Sequence, residues 1–115
     1  MENFEVVRED RANVSILRLK GFLDAHTAPQ FEKAIQELLG EDKFQIIVSM
    51  ADLNYISSAG LGVFMGFIEE IREKSGDIKL SNMSDKVYKV FDLLGFPALY
   101  QIFGEESEAE AKYDE

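Results

Sequence analysis

The chain has 115 residues, 46% of them apolar, no cysteine, and a formal net charge of −10 from 22 acidic and 12 basic side chains. That length suits one compact domain rather than two, the missing cysteines exclude disulfides and thiol chemistry, and the acidic balance disfavours direct nucleic-acid binding, whose affinity comes from clustered Lys and Arg displacing counterions. No apolar run approaches the roughly 20 residues of a membrane span, and Met1 followed by Glu2 to Glu5 has neither the basic nor the apolar region of a secretory signal, so a cytoplasmic protein is expected.

Phe4-Glu5-Val6-Val7-Arg8 reads as a first strand, and Asp10 to Asn13 supplies turn residues. Val14 to Lys20 then alternates with a period of two, so an antiparallel hairpin opens the domain. Thr27, with Gln30 three residues on, suggests a capping box. The helix after it has Phe31, Ala34, Ile35 and Leu38 on its inner face and a left-handed stop at Gly40. Phe44 to Val48 is short and almost continuously apolar, as in a strand covered on both faces. A loop from Ala51 to Ser58 leads to a second helix, about Ala59 to Lys74, with Leu61, Phe64, Met65, Ile68 and Ile71 turned inward and Gly76 ending it. Ile78-Lys79-Leu80 is a short strand. Ser84 caps a third helix with Val87, Val90, Phe91 and Leu94 inward, closed by Gly95 with Pro97 beyond. Ala98 to Phe103 is an edge strand or a docking segment. From Gly104 onward stand Glu105, Glu106, Glu108, Glu110, Asp114 and Glu115 against the single base Lys112, which reads as a solvated, disordered tail.

The expected architecture is thus one α/β domain over residues 1–103 with an acidic tail over 104–115. Its sheet is mixed, with four to five strands, the hairpin first and parallel strands after it, and about three helices pack on it. Loops beyond the carboxyl ends of parallel strands are the usual sites for ligands and partners. The loop from Ala51 to Ser58 is one of them.

That loop runs into Ser57-Ser58-Ala59-Gly60-Leu61-Gly62, two hydroxyls where a helix begins. One of them is explained as an N-cap, its oxygen taking a free backbone N–H. The same position also suits a phosphate, because a helix start offers unpaired N–H groups and the positive end of the dipole. Gly62 and Gly66 lie one and two turns beyond Ser58 on one stripe, where glycine costs about 0.5–1 kcal/mol each against alanine. Close approach of another element is a reason for them. Val63 and Phe67 border the stripe, either as exposed anchors or as internal packing.

These residues carry a family resemblance. Gly21-Phe22-Leu23-Asp24-Ala25-His26-Thr27 resembles the glycine-x-leucine-aspartate motif of the anti-sigma-factor antagonists, the STAS domain family. Asp52 to Gly62 resembles that family's signature loop ending in serine–small–glycine–leucine–glycine, and Ser84 to Gly95 resembles its third helix. The resemblance implies the STAS fold and a switch protein. Unphosphorylated, such a protein binds an anti-sigma factor that is often also a serine kinase, and so frees a sigma factor; phosphorylation ends the interaction and a serine phosphatase resets it. Carried over, the phosphoacceptor is Ser58 and Asp24 is an acid near it. Many antagonists have aspartate before the acceptor; here Ser57 stands there and is a rival acceptor. The partner-binding residues implied are Asp24, Asn54, Tyr55, Ser57, Ser58, Gly60, Leu61, Gly62 and Gly66, with Asn54–Tyr55 as a turn on the polar rim. No cofactor, metal, membrane or nucleic acid is expected, and a monomer is the default free form.

Two other readings compete. A hydrolase using Ser58 would need His26 as its base, and the glycine-x-serine-x-glycine elbow is missing. A scaffold of the same STAS fold that binds a partner in another bacterial signalling complex and is never phosphorylated is the more serious alternative.

Overall fold

A computed structural model describes residues 4–115; Met1 to Asn3, on which part of the signal-free reading falls, lie outside the described residues. The alternating apolar pattern builds the opening hairpin. Strand β1 (Phe4–Arg11) pairs antiparallel with β2 (Val14–Leu23) in unbroken register from Phe4–Gly21 to Arg11–Val14. Then follow α1 (Ala28–Gly40), β3 (Gln45–Ile56), α2 (Ser58–Glu73), β4 (Asp77–Ser81), α3 (Asp85–Leu93), a 3-10 turn at Phe96–Ala98, β5 (Ile102–Phe103) and α4 (Glu106–Tyr113). The strands lie in the order β1-β2-β3-β4-β5, and every pair after the hairpin is parallel. The α/β sheet is therefore as expected, with five strands. The stretch from Ala98 to Phe103 contributes only the two residues of β5 to it.

Helices α1 to α3 cover one face. Phe64 stands at the centre of that core, with ring centroids at 4.9 Å from Phe31, 5.7 Å from Phe91 and 6.1 Å from Tyr100, all near edge-to-face. Ser84 caps α3 by accepting the Val87 N–H at 3.2 Å, and Gly95, at φ 75°, ends it in the left-handed region. The helix stops elsewhere differ from expectation. The left-handed residues after α1 and α2 are Asp42 (φ 60°) and Ser75 (φ 65°), not Gly40 or Gly76. Gly76 is there for closeness instead: a Cβ on it would lie 2.0 Å from the Phe44 carbonyl oxygen. Met65 and Leu94, expected in the core, are exposed.

The largest departure is at the C-terminus. The segment read as a disordered acidic tail forms α4, a fourth helix, which docks on the other face of the sheet. Its acids have partners that a charge count does not see. Glu106 meets Arg18 through two hydrogen bonds of 2.8 and 2.9 Å, Glu110 meets Arg11 at 3.0 Å, and Glu105 with Glu108 closes a capping box. Ala109 is fully buried in a cluster with Val14, Ile16 and Ile47. One turn on, the Tyr113 hydroxyl accepts the Ile46 N–H at 3.1 Å and faces the carbonyls of Ile46 (2.7 Å) and Asp77 (2.6 Å), while Lys79 lies 4.4 Å from its ring centre. Burial pushes the Tyr113 phenol far above the ordinary tyrosine range, so its proton stays available to those carbonyls.

Two outcomes follow. Gly76→Ala should destabilise the domain by about 3 kcal/mol, because backbone rather than a movable side chain fills the space; urea denaturation should show a lower midpoint with an unchanged slope. In acid, α4 should loosen first. The hydrogen bonds from Arg18 hold the Glu106 carboxyl below the usual carboxylate range. A folded value below the unfolded one stabilises fully above about pH 4.3, and that stabilisation disappears as pH falls through the lower folded value. Hydrogen exchange of α4 amides should therefore speed up on acidification before that of α2. Equal protection in both helices down to global unfolding would contradict this.

Candidate functional site

The carboxyl end of β3 is strand where the sequence suggested loop. Its pairing with β2 carries two irregularities: Arg18 and Lys20 face Ser49 and Asp52, and Gly21 and Phe22 face Leu53 and Tyr55. Each time β3 spends one residue more than β2, which is the mark of a bulge. The inward positions thus become Met50, Leu53 and Ile56, three residues apart instead of two. Asn54 and Tyr55 are exposed strand residues at the second bulge, not a turn. Gly21, at φ 98°, supplies the backbone that the opposing bend needs.

Two contacts fix what comes next. The Ser57 N–H donates to the Leu23 carbonyl at 2.9 Å, tying the end of β3 to the end of β2. Gly60 then sits on Leu23: a Cβ there would be 2.7 Å from Leu23 Cγ and 3.1 Å from Ile56 Cγ1. Beyond Leu23 the chain turns through Asp24, whose Oδ1 accepts the N–H groups of His26 (2.9 Å) and Thr27 (3.1 Å). Thr27 does not cap α1 with its side chain as expected. Its hydroxyl accepts the Asp24 N–H at 3.0 Å and donates to the Phe22 carbonyl at 2.8 Å, which makes the β2–α1 loop rigid. Asp24 thereby lies beside the start of α2.

The two serines differ in what they do. Ser57 is the N-cap of α2; its Oγ accepts the Gly60 N–H at a long 3.4 Å, and the residue is half-buried. Ser58 is the first helical residue, exposed, with no hydrogen bond on its hydroxyl among the described residues. Along α2, Gly62 and Gly66 face open space, with nothing within 4 Å of a Cβ built on either. Gly60 and Leu61 do not belong to an outer surface. Both are buried, because their helix positions turn toward Leu23 and the aromatic core, so they support the site from within. Val63 and Phe67 likewise pack internally. Asp24, Asn54, Tyr55, Ser57, Ser58, Gly62 and Gly66 remain at the surface.

Phe22 was not among the expected contacts. It is 46% exposed, its ring lies 6.0 Å from that of Tyr55 (43% exposed), and together they form an aromatic pair beside the serines. The signal was in the alternation: Phe22 shares a face with Arg18 and Lys20, so it had to point away from helices α1 to α3. Among the described residues no group of three or more His, Asp or Glu side chains is placed to hold a metal ion, and no helix is long and apolar enough to cross a membrane.

Capping suffices to separate the serines by stability alone. Ser57→Ala should cost about 1 kcal/mol, the usual loss of an N-cap, and Ser58→Ala less than about 0.5 kcal/mol, both read from urea midpoints. A larger loss for Ser58→Ala would reverse the assignment.

Comparison with known proteins gives this site a family. The STAS domain model matches residues 4–109. The anti-sigma-B factor antagonist of Listeria monocytogenes is 26% identical over 106 residues, covering 92% of both chains. The anti-sigma F factor antagonist of Paenibacillus polymyxa is 31% identical over 111 residues, covering 93% of this chain and 92% of that one. Among solved structures, the anti-sigma factor antagonist SpoIIAA in its unphosphorylated form superposes with a TM-score of 0.83 at 26% identity, covering 96% of each chain. The phosphorylated form of SpoIIAA, a Bacillus cell fate determinant, gives 0.72 at 25% identity, covering 96% of this chain and 98% of that one.

Proposed function

The chain belongs to the STAS domain family, and we propose that it is a cytoplasmic anti-sigma-factor antagonist, a binding protein without catalytic activity of its own, switched at Ser58. In its unphosphorylated form it binds an anti-sigma factor that is also a serine kinase, and the sigma factor is released. Transfer of the γ-phosphoryl group of ATP to Ser58 Oγ, with ADP leaving and the hydroxyl proton taken by a base of the kinase, ends the interaction. A serine phosphatase restores the hydroxyl.

The observation that carries this reading is the division of labour between the serines. Ser57 fills the cap, so Ser58 is left exposed on the first turn with its hydroxyl uncommitted. A phosphate there gains from the helix dipole and needs no rearrangement of the domain. The domain hosts the group and the docked partner does not. A dianion covered by a partner without matching donors loses several kcal/mol of hydration, and each 1.4 kcal/mol is tenfold in affinity. Asp24, Asn54 and Tyr55 form the rim of the contact. Gly62 and Gly66, with open space above them, let partner backbone come close to α2.

The test uses the candidate kinase encoded in the same genome, with ATP and magnesium. Mass spectrometry should place a single phosphate on Ser58. Ser58→Ala should bind the kinase like the unmodified protein and Ser58→Asp at least tenfold more weakly, with identical far-ultraviolet circular dichroism. Phosphate on Ser57 alone, or equal binding by Ser58→Ala and Ser58→Asp, would refute the switch.

A further inference from the structure

Along the carboxyl edge of the sheet, the end of β2 with Asp24, the end of β3 with Ser57 and Ser58, and the end of β4 leading to α3 follow one another in strand order. On the α3 side a shallow cleft opens between β3 and α3, lined by Asn54, Tyr55, Ile56, Lys86, Val87 and Val90. Its floor is apolar, with Ile56 and Val87 buried and Val90 half-buried. Its outer wall is basic. Lys86, Lys89 and Leu93 recur at helical spacing along the exposed side of α3, and Leu93 is 83% exposed.

These two lysines belong to a group of five, with Lys20, Lys33 and Lys74, that meet no carboxylate among the described residues. Elsewhere Arg8, Arg11, Arg18, Lys43, Arg72, Lys79 and Lys112 each meet a carboxylate. Lys86 and Lys89 meet none among the described residues, although the exposed Asp85 and Asp92 each stand one helical turn from Lys89. In a protein of net charge −10, cations beside an apolar cleft and without an internal anion complement an acidic visitor.

We infer that this cleft and the Lys86–Lys89–Leu93 stripe are a second docking subsite, which takes an apolar side chain flanked by carboxylates of the kinase partner. The inference rests on the proposed partner and goes beyond Ser58. The contact face then has an acidic end at Asp24 and a basic end on α3, with the phosphoacceptor between them. Such a polarity fixes the direction in which a partner lies across Ser58. It also makes encounter sensitive to salt, since exposed charges are screened over about 10 Å at 0.1 M.

The test combines binding and cross-linking on the full chain with the same kinase. Lys86→Glu with Lys89→Glu should weaken binding at least tenfold, and raising salt from about 50 to about 300 mM should weaken the unmodified protein but not the double variant. Val90→Ser, which alters the cleft without charge, should weaken binding with no change in salt response. Carbodiimide, which joins an amine directly to a carboxylate, should link Lys86 or Lys89 to an Asp or Glu of the kinase. Circular dichroism should match the unmodified protein throughout. Ser58→Asp serves as the separator. Weakening by Ser58→Asp but none by the lysine reversal overturns the subsite and leaves the switch intact. Weakening by the reversal but none by Ser58→Asp keeps the subsite and removes the switch. A kinase that binds neither the unmodified protein nor the variants overturns both.

Discussion

The site depends on one contact, the seat of Gly60 on Leu23. The hydrogen bond from Ser57 N–H to the Leu23 carbonyl brings the ends of β2 and β3 to the same level. The missing Cβ of Gly60 then lets the first turn of α2 lie directly on the Leu23 side chain. Any side chain at this position must displace Leu23 or lift the helix, and Leu23 is itself fully buried among residues of the main core. The direction of α2, the meeting of its start with the end of β2 and the outward turn of Gly62 and Gly66 all follow from that seat. A glycine one residue before a core leucine thus acts on the surface through the interior.

Much of the fold was legible because its signals were local. The hairpin followed from alternation, α2 and α3 from helical spacing, and the α3 termini from Ser84 and Gly95. The parallel order of the later strands followed from the strand–helix–strand units and their right-handed crossovers. Three things were hidden, for separate reasons. The bulges of β3 broke the period of two between Met50 and Ile56, so a strand read as a loop. Helix α4 looked disordered because its acids were counted without Arg11 and Arg18, which lie about ninety residues earlier in the chain and meet it only after folding. The stop residues misled because Asp42 and Ser75 adopt the left-handed conformation that glycine more often supplies.

The candidate site divides in the same way. Its position was readable, since two serines before a Gly-Leu-Gly run mark a helix start after a buried strand. Which neighbours are contacts and which are supports was not. Sequence places Gly60, Leu61 and Gly62 in one motif, yet helical geometry sends the first two inward and the third outward. Phe22 and the lysines of α3, which the proposed contact face adds, come from elements that the motif does not contain. They join it only because strand order sets β2, β3 and β4 side by side.

Charge gives a physical reason why a single phosphate at the proposed Ser58 site would be an effective signal on such a small surface. Most of the basic residues are spent within the domain, Arg8 holding β1 to the end of α1, and Arg11 and Arg18 holding β1 and β2 to α4. These pairs are partly exposed and individually weak, but they remove cations from the pool that would neutralise an added dianion. The start of α2 offers backbone N–H groups and a dipole, which suffice in water and leave the phosphate hydrated. They do not suffice under a partner that excludes water. On the proposed reading, the modified domain would therefore keep its fold while its contact face changes sign of preference. An intramolecular arginine near Ser58 would blunt that difference by satisfying the phosphate in both states, and the sequence keeps its arginines on β1 and β2 and on the last turn of α2, at the other end of that helix from Ser58.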